Sequence, residues 1–170
     1  MTIIEILQYP DSRLHRKAYK INDVKSASIQ KIIDNMFETL ANTNNCAALA
    51  ATQLDIELPP AITVVNSPIE LEPPFCLLNP EIIASSGRKS AREGCMSIYV
   101  DDVSAIVERA AEVTVRALDR EGNEIEIIAK DFLAKCLQHE IDHLHGVLYL
   151  DRISKLKRLL IEKKINKLKH

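Results

Sequence analysis

Apolar positions recur at helical spacing in "SASIQKIIDNMFETLA", where Ile29, Ile32, Ile33, Met36, Phe37 and Leu40 share one face. Ser26 to about Ala41 is therefore predicted as an amphipathic helix whose apolar face belongs to the core. Two short apolar runs bounded by proline, "PAITVVNSP" and "PFCLLNPEIIA", read as strands. The period then becomes two: "AEVTVRALDREGNEIEIIAKD" alternates through Val113, Val115 and Ala117, turns at Asp119 to Asn123, and alternates again through Ile125 and Ile127. That pattern predicts a β-hairpin. In "DFLAKCLQHEIDHLHGVLYLD" the helical period returns, with Asp131 placed as an N-cap and Gly146 as a stop, so Phe132 to His145 is predicted helical. The last segment, "SKLKRLLIEKKINKLKH", reads as a second amphipathic helix over 154–168, capped by Ser154.

With no internal repeat and no linker, these elements define an α+β fold in a single domain over residues 1–170, and 46% hydrophobic composition suffices for one independent core. A formal net charge of -2 gives no global pull toward nucleic acid or a membrane surface, so neither DNA nor a membrane is expected as a partner. "MTIIEILQYP" carries no basic leader, and no apolar run approaches the roughly 20 residues of a membrane span. The chain reads as soluble and unexported. Cys46, Cys76, Cys95 and Cys136 contain no C-x-x-C pair, which argues against a disulfide framework, and Cys76 reads as a small buried hydrophobe.

The chemistry is concentrated in "QHEIDH". His139 and His143 are four residues apart, so a helix presents both imidazoles on one face, one turn apart, where they can bind the same ion. Glu140 lies beside them, able to take a proton from water activated at that ion. The competing reading is a solvated helix carrying these residues by chance. A catalytic site of this type needs a third protein ligand and an open position. His145 and Asp142 are turned away, which leaves Cys95 in "REGCMSIY" as the best donor, a thiolate suited to Zn(II) or Fe(II) beside the permissive Gly94. A buried structural cysteine in a strand is the alternative. Blue copper with Met96 as axial ligand is disfavoured, since H-E-x-x-H is foreign to such sites.

Three stretches, "CAALAATQ", "EGCMS" and "QHEIDH", follow one another in the order of the peptide deformylase motifs G-x-G-L-A-A-x-Q, E-G-C-x-S and Q-H-E-x-D-H, and "ILQYPDSRL" resembles that family's N-terminus. The chain resembles peptide deformylases over nearly its whole length. The resemblance implies antiparallel sheets around a central metal-binding helix and removal of the formyl group from N-formylmethionine on nascent chains, in the bacterial cytoplasm or an organelle matrix. It implies Cys95, His139 and His143 as ligands of one divalent ion, Fe(II) natively and Zn(II) or Ni(II) in purified protein. Glu140 is then the general base, with the Gln53 amide and the Met96 backbone N–H as donors to the oxyanion. Glu93 is expected to form an inner ion pair with Arg109, holding the strand that presents Cys95. The substrate pocket falls to Cys46, Ala47, Ala48, Leu49, Phe132, Lys135 and Cys136.

The sequence also departs from the family pattern. Cys46 and Ala48 replace both glycines of the first motif, so a Cβ is expected to crowd the substrate and any left-handed dihedral there to be penalised. "IYVDD" replaces the usual Pro-Gly after Ser97, and Lys135 stands one turn before His139, where the family carries an apolar residue. A deacylase or peptidase with an altered pocket and a non-catalytic metal protein are the rival functions. Intact Glu140 and Gln53 speak against the last. The terminal helix, rich in lysine, is read as packed through its leucines with a solvated basic side, with contact to ribosomal RNA as the functional alternative.

Overall fold

The structure, a computed structural model, describes residues 2–66, 73–99 and 101–169. Ser67 and Pro68, which close the first expected strand run, and Val100 of "IYVDD" lie outside the described residues. Three helices, α1 (Ala27–Ala41), α2 (Asp131–Leu144) and α3 (Lys155–Leu168), combine with seven strands: β1 (Ala48–Ala50), β2 (Ile62–Val65), β3 (Phe75–Ser86), β4 (Lys89–Glu93), β5 (Ala105–Arg109), β6 (Glu112–Leu118) and β7 (Glu124–Lys130). The strands form a five-stranded sheet, ordered β1-β2-β3-β6-β7, and a separate two-stranded sheet, β4-β5. All pairings between these strands are antiparallel.

Period-two alternation divides the large sheet between two cores. Leu49, Val64 and Leu78 pack with Ile29, Ile33, Met36 and Leu40 of α1. Their strand neighbours Ala48, Val65 and Leu77 join Val113, Val115, Ala129 and the α2 residues Ala134, Leu137 and Ile141. One helix thus covers each face. A third cluster, with Ile98, Val107, Leu148, Tyr149, Leu150 and Ile165, gathers the small sheet and the C-terminal segment.

The predicted hairpin closes as expected, with Asp119 N–H bonded to Asn123 C=O. Pro80 lies inside β3, tolerated because the register shifts between Leu78 and Glu81. The left-handed Asn79 before it binds both the N–H and the C=O of Ile21 at 2.9 Å.

Two helix-end details differ from expectation. Asp131 is not the side-chain cap of α2: Lys130 occupies the cap position without a cap bond, while Asp131 has φ 49° and an ion pair with Lys89 at 2.6 Å. The leucines of α3 do not pack on the domain. Leu156, Leu159 and Leu160 are 68%, 55% and 59% exposed, and only Ile165 is buried. The helix is instead held by Ile161 and Ile165, by Tyr9 Oη donating to Glu162 at 2.8 Å, and by Arg158, which bonds both Glu162 and Asp151. Ser154 caps it through Lys157 N–H, as expected. Among the described residues no helix is long and apolar enough to cross a membrane.

Gly146 stops α2 for two independent reasons. Its φ is +74°, and a Cβ there would lie 2.3 Å from the His15 carbonyl oxygen. Gly146→Ala should therefore destabilise the protein by about 3 kcal/mol through backbone strain and overlap, read as a lowered urea midpoint with unchanged slope.

Candidate metal centre

α2 carries His139 and His143 one turn apart, and their Nε2 atoms approach to 3.1 Å. Cys95 Sγ lies 3.2 Å from His143 Nε2, and the three donor atoms all fall within 4.8 Å of one another. Cys95 is not in a strand. It sits two residues beyond β4 in a turn where its carbonyl accepts from Ile98 N–H, and this turn swings the thiol over α2. Donors at 2.0–2.3 Å from a tetrahedral ion lie about 3.3–3.7 Å apart, so the set fits a four-coordinate divalent cation with one position left open. Bonds to Cys95 and Glu93 outweigh burial and push His139 well above its ordinary pKa, whereas burial and the neighbouring His139 push His143 well below.

Glu140 is 4% exposed, and its Oε2 has no hydrogen-bond partner among the described residues. Burial pushes this carboxyl up to about 7. Gln53, the last residue of a short 3-10 turn, has its amide orientation fixed: Oε1 accepts from Ala50 N–H at 2.9 Å. Nε2 therefore faces Ser97 Oγ at 3.2 Å and Cys95 Sγ at 3.5 Å. Met96 lines a cavity beside Cys95, and its carbonyl accepts from Gln8 at 2.7 Å.

Behind the imidazoles lies a chain of buried charges. His139 Nδ1 faces Glu93 Oε2 at 3.0 Å, and Glu93 is gripped by Arg109 through Nε at 2.8 Å and Nη2 at 3.0 Å. Burial alone would raise the Glu93 carboxyl, but His139 and Arg109 outweigh it and hold it down at about 2. Arg109 Nη1 continues to Asp142 at 2.5 Å, and Arg152 closes on the same carboxylate. Glu93 thus touches a metal-facing imidazole directly, besides bracing the strand before Cys95. From sequence Asp142 is read only as turned away from the ion, and Arg152 carries no reading. The available signal was a carboxylate off the metal face of α2 with an arginine ten residues later.

A cavity of about 230 Å³ opens onto this centre. Of the expected pocket residues, Ala47, Ala48, Phe132, Lys135 and Cys136 line it. Cys46 and Leu49 do not. Leu49 alternates with Ala48 along β1, so it faces the α1 core, and Cys46 packs in that core with Sγ donating to the Ala48 carbonyl at 3.3 Å. Asn45 and Gly94 line the cavity instead. The penalty expected at the missing glycines does not arise, because the positive φ of 56° falls on Asn45, a residue type that tolerates it, and not on Cys46 or Ala48.

Antiparallel sheets wrapped around a His-Glu-x-x-His helix, with a thiol as third donor, define a metal-hydrolase type of centre. The family model described as polypeptide deformylase matches residues 3–159, and the chain belongs to that family, which is metal-dependent. The chain is 48% identical over 167 residues to peptide deformylase 1 of Coxiella burnetii, covering 98% of this chain and 97% of that protein. A crystal structure of a peptide deformylase from Legionella pneumophila superposes with a TM-score of 0.88 at 39% identity, over 99% of this chain and 96% of that one. The Ehrlichia chaffeensis peptide deformylase in complex with actinonin gives 0.87 at 37% identity, over 98% of each chain.

Arg109 makes three bonds to two buried carboxylates, so its removal leaves Glu93 with His139 alone and Asp142 with the half-exposed Arg152 alone. Arg109→Met should lower unfolding stability by about 3–5 kcal/mol in denaturant titration. A loss below about 1 kcal/mol would equate the network with ordinary surface pairs.

Proposed function

We propose that this chain is a metal-dependent hydrolase that removes the N-formyl group from the formylmethionine of nascent polypeptides. The observation that carries the reading is a set of three ligand atoms within 4.8 Å of one another, joined by an unpartnered buried carboxylate that lines the adjoining cavity and by an oriented amide 3.5 Å from Cys95 Sγ. Cys95, His139 and His143 would hold one divalent ion, Fe(II) natively with Zn(II) or Ni(II) as replacements, which supplies Lewis acidity toward water and the formyl oxygen. Glu140 takes the proton from the attacking water at its free Oε2 and delivers it to the departing amine. Gln53 Nε2 and the Met96 backbone N–H donate to the formyl oxygen as it becomes negative. Glu93 fixes the His139 ring through Nδ1, which leaves Nε2 for the ion.

Nascent chains as substrate place the working compartment in the bacterial cytoplasm or an organelle matrix. α3 supports a further contact. It presents Lys155, Lys157, Lys163, Lys167 and Lys169 beside its uncovered leucines, and ribosomal RNA near the exit of nascent chains is a matching polyanion.

Two variants separate binding from chemistry. Cys95→Ala should lose the ion to dilute chelator, since two imidazoles alone form a weak site, whereas Glu140→Ala should keep one ion per chain yet hydrolyse formyl-Met-Ala-Ser at least about a hundredfold more slowly. Parental turnover by Glu140→Ala would refute its role as base. For α3, the pair Lys163→Glu and Lys167→Glu should abolish salt-sensitive cosedimentation with ribosomes while leaving short-peptide turnover unchanged. Undiminished cosedimentation would remove the helix from that contact.

A further inference from the structure

Among the described residues Lys135 is the one lysine or arginine in the lining of the active cavity, which is otherwise formed largely by Ala47, Ala48, Phe132, Cys136 and the metal-centre residues. It also lines a second cavity of about 300 Å³, shared with Lys89, Ala91, Ala110, Ala111 and Asp131, so it stands in the partition between the two. Its stem rises from α2 one turn before His139. Its ammonium lies 5.0 Å from the centre of the Phe132 ring and donates to the Arg92 carbonyl at 3.1 Å.

An ammonium has three donors, and here one is taken by a neutral carbonyl. Among the described residues Lys135 makes no ion pair. Two carboxylates share the cavity, but Glu93 is engaged by Arg109 and His139, and Glu140 lies at the metal end. The cavity therefore offers an apolar wall ending at a cation with donors to spare. A wholly apolar side chain leaves those donors without a protein partner. One carrying an oxygen at its tip would receive a charge-assisted hydrogen bond.

We infer that Lys135 is a specificity-determining residue that favours formyl substrates whose first side chain is an unbranched stem bearing an oxygen on its δ atom. Methionine sulfoxide, glutamine and glutamate share that chemistry, and in a formylmethionyl chain the sulfoxide is the form reached by oxidation alone. This inference rests on the deformylase reading and deepens it. Lys135 acts on binding of the side chain, not on the hydrolytic step, so its effect belongs mainly in KM.

The test compares kcat/KM for formyl-Met-Ala-Ser, its sulfoxide and the isosteric formyl-norleucine-Ala-Ser, in the parent, in Lys135→Met and in Lys135→Arg. The ratio of sulfoxide to norleucine should be at least about tenfold higher in the parent than in Lys135→Met, the size expected of one hydrogen bond to a charged donor. Lys135→Arg should retain most of it. A ratio unchanged in Lys135→Met overturns the role of Lys135 and leaves the hydrolase reading standing. Failure of the metal-loaded parent to deformylate any of the three peptides overturns the hydrolase reading, and this inference with it.

Discussion

The buried guanidinium of Arg109 is the constraint around which the metal centre is organised. It lies at the end of β5, grips Glu93 at the end of β4, and reaches Asp142 on α2, which in turn holds Arg152 beyond that helix. The two-stranded sheet shares no strand pairing with the large sheet, so no ladder of backbone bonds fixes Cys95 relative to the histidines. The ion pairs supply that registration. Burying charge is unfavourable unless each group is compensated, and here the carboxylates have partners on more than one side. One of those partners is the imidazole of His139, so the same carboxylate that joins sheet to helix also sets the direction of a metal ligand.

The local periods made much of this legible. α1, α2 and the β6–β7 hairpin each bury one face, and the spacing of apolar residues reflects that directly. The facing imidazoles follow from four-residue spacing on any helix. The small sheet was harder to read, because β4 is "KSARE", nearly all exposed, and its only buried residue is the charged Glu93. Period two cannot be read from a strand without an apolar side. Asp142 is legible only as turned from the metal face, and Arg152 not at all, because their roles are long-range, carried by a side chain thirty-three residues away from the first.

Two misreadings have the same origin. Leu49 was assigned to the pocket with its neighbours in the first motif, although in a strand adjacent residues face opposite ways. The leucines of α3 were assigned to packing because apolar residues at helical spacing ordinarily face inward. In this helix the inward positions belong to Ile161 and Ile165, and the leucines fall on the outer side. A periodic pattern identifies a stripe; which stripe meets the core depends on what the rest of the chain offers it.

Glu93 and Arg109 stand at opposite ends of the β4–β5 ladder, Glu93 opposite Ala105 and Lys89 opposite Arg109, so their ion pair spans the length of the small sheet. The chain leaves the ladder after Glu93 and re-enters it at the paired Ala105, and Asp101 and Asp102 before that return are exposed. The return from thiol to sheet is thus packed on its inner side through Ser97, Ile98 and Val103 and, among its described residues, open only at those two aspartates, which confines any freedom of that return to the side remote from the imidazoles.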